Sequence, residues 1–242
     1  MSAPLAVVSG GTRGIGLALS HRLVELGHRV VALYRRDDAA ARAAAGTSIH
    51  ALRLDVADAD AVAHAGEDLL ARFGAPAVLV NNAGVNVDKP FLTMSAHEWQ
   101  QVLDTNLSGV FHLCRALVPA MLDEGGVVVN VGATTGIRPR VNGVNYCASK
   151  AGLLQFTKCL ALELAPKVRV NCLIPGAIET DEVVTRFRLD DPRERARMIA
   201  GIPHGRLGTT QDVADALEFL VGPGSTYLTG QKIIVDGGQF MW

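Results

Sequence analysis

The sequence predicts a doubly wound α/β domain, a parallel sheet with helices on both faces. Three observations carry that expectation. Short β-branched runs alternate with longer segments of helical period along the whole chain. Most of those runs are almost continuously apolar, as strands covered on both faces must be. Finally, 49% apolar residues against 19% charged, over 242 residues, provide for a large core and exclude a disordered chain.

In chain order the candidate strands are Leu5 to Ser9, Arg29 to Tyr34, Ile49 to Leu54, Ala77 to Asn81, Val127 to Val131, Val168 to Leu173 and Lys232 to Val235. The candidate helices are Gly14 to Leu26, Ala39 to Ala45, Asp58 to Phe73, Ser95 to Asp123, Tyr146 to Leu164 and Thr210 to Val221. Strict alternation implies right-handed crossovers and a seven-stranded parallel sheet. It also implies a single domain over 1–242, with little room for a separate substrate module. One stretch breaks the rhythm: more than 30 residues separate Leu173 from Thr210 without a strand. Its charged part, Thr180 to Ile202, reads equally as a lid over a functional site or as a surface helix pair.

Charge and cysteine usage narrow the function. With 23 Lys+Arg against 24 Asp+Glu, the chain has no field to attract a polyanion, so nucleic acid is not an expected partner. Cys114, Cys147, Cys159 and Cys172 form no CxxC pair and each sits in an apolar stretch, which predicts buried thiols in a reducing compartment, without disulfides or a metal site. No apolar run approaches the roughly 18 residues needed to cross a bilayer. The start, Met1 to Val8, enters a strand without the charged region of a signal peptide, so a cytoplasmic protein with no membrane partner is expected.

The first βα turn reads Ser9-Gly10-Gly11-Thr12-Arg13-Gly14-Ile15-Gly16. Glycines here let the chain turn tightly and approach a pyrophosphate, with a helix N-terminus facing the anion. Following a strand and opening a helix, the turn has the setting of a dinucleotide site in a Rossmann domain. About 20 residues on, an NAD site would end its second strand in an acid that accepts from the ribose 2′-hydroxyl. This strand ends Leu33-Tyr34-Arg35-Arg36. Arg35 together with Arg13 can clamp a 2′-phosphate, so the expected cofactor is NADP(H); each arginine taken alone reads equally as a solvated turn residue. In Tyr146-Cys147-Ala148-Ser149-Lys150, positions i and i+4 of one helix place a phenol and an ammonium on a common face. A cation beside a phenol lowers its pKa from about 10 and makes Tyr146 a usable general acid for carbonyl reduction.

The GxxxGxG turn, Asn81-Asn82-Ala83-Gly84 and the YxxxK motif, in this order, resemble the short-chain dehydrogenase/reductase family. Ser9 stands where that family usually has Thr and keeps the hydroxyl. The resemblance runs from Leu5 to Gly238 and implies further roles. Gly10, Thr12, Arg13, Gly14, Ile15 and Gly16 would line the cofactor with Arg35. Asp55 and Val56 would border the adenine, and Asn82, Ala83 and Gly84 would support the cofactor. Lys150 would hold the nicotinamide ribose as well as tune Tyr146, and Asn106 would anchor a water in a proton relay. Pro175, Gly176, Ile178 and Thr180 would meet the nicotinamide.

The family's carbonyl-binding serine lies 13 positions before the tyrosine, and here that position is Ala133. Three explanations stay open: Thr134 supplies the hydroxyl, Tyr146 holds the carbonyl alone in a weak enzyme, or alanine replaces an original serine. Losing one such donor costs about 100- to 1000-fold in turnover. Among relatives the closest resemblance is to β-ketoacyl-[acyl-carrier-protein] reductases, which implies a β-ketoacyl thioester substrate of fatty-acid or polyketide type. A carrier protein would then dock on Arg138, Arg140, Lys167 and Arg169. The alternatives are a reductase or dehydrogenase of a free small ketone or alcohol and, outside enzymes, an NADP(H)-binding sensor or assembly subunit with weak turnover. Apolar residues around the Ser95 to Asp123 and Tyr146 to Leu164 helices, with the apolar tail Gln239 to Trp242, predict a homotetramer or homodimer.

Overall fold

The computed structural model describes residues 3–241. Seven strands, β1 (Leu5–Ser9), β2 (Arg29–Tyr34), β3 (Ile49–Arg53), β4 (Pro76–Asn81), β5 (Gly126–Val131), β6 (Val168–Pro175) and β7 (Lys232–Val235), pair in parallel in the order 3-2-1-4-5-6-7. Chain direction across the sheet reverses between β1 and β4, the switch point at which such sheets open a crevice at their C-terminal edge. The registers Ser9↔Asn81 and Asn81↔Asn130 bring the ends of β1, β4 and β5 level along that edge.

Alternation along each strand feeds two cores. Leu5 and Val7 of β1 face one core, which is closed by α3 (Ala59–Phe73), α5 (Gly109–Glu124) and α6 (Val144–Leu164). Ala6 and Val8 face the other, under α1 (Gly14–Glu25) and α9 (Thr210–Val221). A short α2 (Asp38–Ala44) connects β2 to β3.

The single helix expected over Ser95 to Asp123 is divided. It runs as α4 (Ala96–Leu103), one π-helical turn at Asp104–Ser108, and α5. Two contacts hold the extra residue of that turn: the Asn106 amide is bonded to the Val85 backbone, and Gly109 lies so close to Val56 that a Cβ there would come within 2.7 Å of Val56 Cγ2. The segment between β6 and α9 is a helix pair, α7 (Asp181–Phe187) and α8 (Pro192–Ala200), packed on a small core of Leu189, Ile202 and Leu207. Thr180 caps α7 through Val183 N and Asp191 caps α8 through Arg193 N, while Arg195 ties α8 back to Glu179.

The cysteine expectation needs correction. Cys114 and Cys172 are buried, but Cys147 is only half-buried and Cys159 is exposed. Both of the latter lie on α6, whose buried stripe runs through Ser149, Leu153, Thr157 and Ala161, and helical period turns Cys159 away from it.

Candidate active site

The site grows from the ends of β1, β4, β5 and β6. Ser9 closes β1, and its Oγ accepts from Asn82 N and Ala83 N at 3.0 Å each, joining the glycine turn to the end of β4. Asn82 Nδ2 donates to Ser9 O at 3.0 Å and Gly10 O at 3.2 Å, which holds the turn in place. Gly10 and Gly14 take positive φ of 63° and 52°. A Cβ on Gly16 would stand 2.0 Å from Gly10 O, so only glycine lets α1 approach the turn this closely. The residue before α1 is Arg13, and it makes no side-chain cap. The first N–H groups of the helix are therefore free to meet an anion.

At the far end of this crevice a cavity of about 460 Å³ is lined by Arg35, Arg36, Arg53, Leu54, Asp55, Asp58 and Ala61. The carboxylates near it are already committed: Asp37 caps α2 through Ala40 N, Asp58 caps α3 through Ala61 N, and Asp55 accepts from Ala57 N and faces Arg35 Nη1 at 3.6 Å. Asp38 takes the Tyr34 hydroxyl and raises its pKa. A cavity with three arginines and no acid free for a ribose diol fits a phosphorylated ribose. Val56 is buried beside it.

Tyr146 and Lys150 share the inner face of α6. Asn145 sets the tyrosine: its Oδ1 accepts from Tyr146 N at 2.7 Å while its Nδ2 donates to Val87 O and Glu98 O. Burial, with Glu182 adding to it, pushes the Tyr146 phenol up to about 12, against the opposing pull of Arg186 and Arg140. Lys150 is buried, its Nζ donates to Val131 O at 2.7 Å, and burial lowers its pKa to about 8. Its Nζ lies 5.8 Å from the centre of the Tyr146 ring. The lowering expected from Lys150 is therefore not what the structure gives: burial outweighs it, and the cations that oppose the rise are Arg186 and Arg140.

Asn106 sits under both. Its two Nδ2 hydrogens go to Val85 O and Ser149 Oγ, and its Oδ1 accepts from Val85 N. A water on this side chain can therefore only donate to Oδ1. A second buried set of bonds runs on β5 through Asn130, which accepts from Asn81 Nδ2 and donates to Thr157 Oγ1.

Ala133 precedes a 3-10 turn, Thr134–Gly136, that packs on α6 so tightly that a Cβ on Gly136 would stand 2.8 Å from Lys150 O. Thr134 is buried. Thr135 carries a buried hydroxyl with no hydrogen-bond partner among the described residues, a feature that local sequence gives no means to find. On β6, Pro175 ends the strand, Gly176 lies against Asp236, where a Cβ would come within 2.5 Å of Asp236 Cβ, and Ile178 is buried and paired with Gly208. Thr180 follows at the start of α7.

The fold and this constellation have many relatives. A family model described as "Enoyl-(Acyl carrier protein) reductase" matches residues 10–239. The 3-oxoacyl-[acyl-carrier-protein] reductases FabG of Salmonella typhimurium and Escherichia coli are each 37% identical over 241 residues, 98% of this chain and 97% of theirs. The chain belongs to the short-chain dehydrogenase/reductase family. Among solved structures, a putative gluconate dehydrogenase from Agrobacterium tumefaciens superposes with a TM-score of 0.91 at 30% identity, covering 98% of this chain and 95% of that one. A gluconate 5-dehydrogenase from Burkholderia cenocepacia in complex with NADP and tartrate gives 0.90 at 29% identity, covering 99% and 96%. As a member of this family the protein is an oxidoreductase.

One expectation about its surface changes. Arg138, Arg140, Lys167 and Arg169 do not form one patch. Arg140 binds Asp88 and Asn86, and Arg138 stacks on the Phe240 ring at 5.2 Å, both near the C-terminal edge of the sheet. Lys167 and Arg169 lie at the start of β6, the opposite edge, where Arg169 is spent on Leu220 O and Leu228 O. The apolar tail returns to its own chain through Phe240, whose N–H bonds Asp236; Met241 is exposed, and Trp242 lies outside the described residues. Among the described residues no helix is long and apolar enough to cross a membrane.

Proposed function

We propose that this chain is an NADP(H)-dependent ketoreductase that reduces a β-ketoacyl thioester to the hydroxyl compound. The observation that carries the reaction is Tyr146 and Lys150 on one face of α6, at the same sheet edge as the glycine turn and the arginine-lined cavity. NADP(H) would be held along that edge, with Gly10 to Gly16 and the α1 N-terminus toward its pyrophosphate, Arg35 with Arg13 toward the 2′-phosphate, and Asp55 and Val56 toward the adenine. Asn82, Ala83 and Gly84 would line its middle. Lys150, Pro175, Gly176, Ile178 and Thr180 would hold the nicotinamide end. When bound, the cofactor supplies a hydride to the carbonyl carbon.

The protein's own work is to hold and deliver a proton. Tyr146, with its pKa raised to about 12, keeps its phenolic proton at neutral pH and gives it to the carbonyl oxygen as charge develops there. Asn106 holds the α6 face through Ser149 and anchors, through Oδ1, a water that returns the proton. The carbonyl's second donor, absent at Ala133, is a threonine hydroxyl of the next turn: Thr134 by position, with Thr135 the other candidate because its Oγ1 is unpaired.

The relatives' name supports an acyl thioester on a carrier protein as substrate; the same reading takes 1–242 as one cytoplasmic domain with the 180–202 helix pair as its lid. Exposed Phe111 on α5 and Leu162 on α6, 51% and 83% accessible, support a homotetramer or homodimer. A second substrate class, free polar ketones or alcohols, is supported by the gluconate dehydrogenases among the structural neighbours. The test follows NADPH consumption with acetoacetyl thioester and with simple ketones, for this chain, Ala133→Ser and Tyr146→Phe. Turnover that rises in Ala133→Ser and collapses in Tyr146→Phe is the expected result. No consumption by this chain or by Ala133→Ser would leave an NADP(H)-binding sensor in place of an enzyme.

A further inference from the structure

Three segments of different origin meet beside Tyr146. Asp88 lies in the loop after β4, Arg140 in the loop after β5, and Arg186 on α7 of the helix pair. Arg140 donates to both Asp88 oxygens and to Asn86 Oδ1 at 2.9 Å, and its guanidinium carbon stands 5.5 Å from the centre of the Tyr146 ring. Arg186 donates to Asp88 Oδ2. One carboxylate thus serves two guanidinium groups. All three side chains are only a quarter to a third exposed, so their charges are weakly screened.

The balance beside the phenol is positive. Arg140, Arg186 and the buried Lys150 face Asp88 and Glu182, and Glu182 is 71% exposed and 3.7 Å from Arg186 Nη1, beyond hydrogen-bond reach. Among the described residues Arg186 makes one hydrogen bond, to Asp88, with a looser ion pair to Glu182 and its guanidinium carbon 5.2 Å from the centre of the Phe187 ring, so part of its donor set is not hydrogen-bonded. A guanidinium fork binds carboxylate or phosphate in the plane it now presents to Asp88. An acyl chain alone would gain nothing from such a place, and desolvating an unneeded charge cluster beside the reacting carbonyl would be a cost.

We propose that Arg140 and Arg186 form a recognition site for an anionic group, carboxylate or phosphate, carried by the ketone substrate, and that Asp88 is the internal anion this group competes with. The inference rests on the ketoreductase reading and narrows its substrate class. Because Arg186 rides on α7, anion binding also pins the helix pair against the loops after β4 and β5. The electrostatic influence of Arg186, Arg140, Asp88 and Glu182 on the Tyr146 phenol places the cluster within reach of the reaction centre.

Malonate, titrated calorimetrically into the full chain with NADP⁺ present, tests the site without any turnover. It should bind the parent protein, bind Arg186→Gln at least tenfold more weakly, and bind Asp88→Asn more tightly, since the competing carboxylate is gone. Kinetics with NADPH then separate the sources of the anion. Acetoacetate offers a carboxylate, acetoacetyl-coenzyme A offers phosphates, and the acetoacetyl N-acetylcysteamine thioester offers neither. In Arg186→Gln the ratio of kcat/KM for the favoured anionic substrate to that for the neutral one should fall about tenfold or more, with Arg186→Lys recovering part of it. Undiminished malonate affinity in Arg186→Gln, or equal weakening in Asp88→Asn, would overturn the proposal. Malonate binding with this pattern but no turnover of any ketone would overturn the reductase reading and leave the anion site standing.

Discussion

Replacing Lys150 with Met should make the protein more stable at neutral pH while removing its activity. The ammonium is fully buried, has a single hydrogen-bond partner in Val131 O, and its pKa is lowered by burial from 10.5 to about 8. At about 1.4 kcal/mol per pH unit, keeping it charged in the fold costs about 3 kcal/mol at pH 7. Methionine is apolar and of similar length, so it removes that cost, and leaves Val131 O without a partner, which costs about 1 kcal/mol. The net gain at pH 7 is about 2 kcal/mol, or about 4 to 8 °C in Tm for a chain of this size.

The dependence on pH has a defined sign. Between pH 8 and 10.5 the unfolded lysine is still protonated and the folded one is not, so the parent protein gains stability as pH rises through this window. At pH 10 little of the penalty remains, and Lys150→Met should lose its advantage. Urea unfolding of both proteins at pH 7 and pH 10, without cofactor and at one protein concentration, measures the difference directly. An equal difference at the two pH values, or a variant less stable at pH 7, would refute the account of Lys150 as a charge held against its solvation.

Gly16→Ala should abolish NADPH binding, because its Cβ would collide with Gly10 O and displace the turn; fluorescence titration with NADPH against a circular dichroism control checks this. Arg35→Ala should weaken NADPH by about 10- to 100-fold and leave NADH little changed, the loss of one charge-assisted phosphate contact, and parallel titrations with the two nucleotides measure the ratio. In the pH profile of ketone reduction, the alkaline fall should come near pH 8, where Lys150 loses its proton, and not near 10, where a free phenol would titrate. Lys150→Arg should move that fall upward if it retains turnover, whereas a fall that stays near pH 8 in this variant would remove Lys150 as its source.

The order of strands and helices was legible because each strand is an apolar run and each helix has its own period, properties that neighbours along the chain carry without help. The glycine turn was legible for a similar reason: Gly10, Gly14 and Gly16 answer to backbone geometry within a few residues. Tyr146 and Lys150 were legible as a pair because an i, i+4 spacing on a helix fixes a shared face. The π turn at Asp104–Ser108 escaped, since it depends on Val85 and Val56, both distant in sequence.

The sequence by itself therefore determined the fold and marked the glycine turn and the Tyr146–Lys150 pair, all of which rest on local spacing. Tertiary structure alone decided the electrostatics. Asp88 and Arg140 come from two loops and Arg186 from α7, and they meet only when the sheet edge is assembled. Lys150 turns to Val131 O, and Lys167 and Arg169 fall at the wrong end of β6 to join Arg138 and Arg140. Charges act through space, with a strength set by burial and distance, and neither quantity is written in the order of residues along the chain.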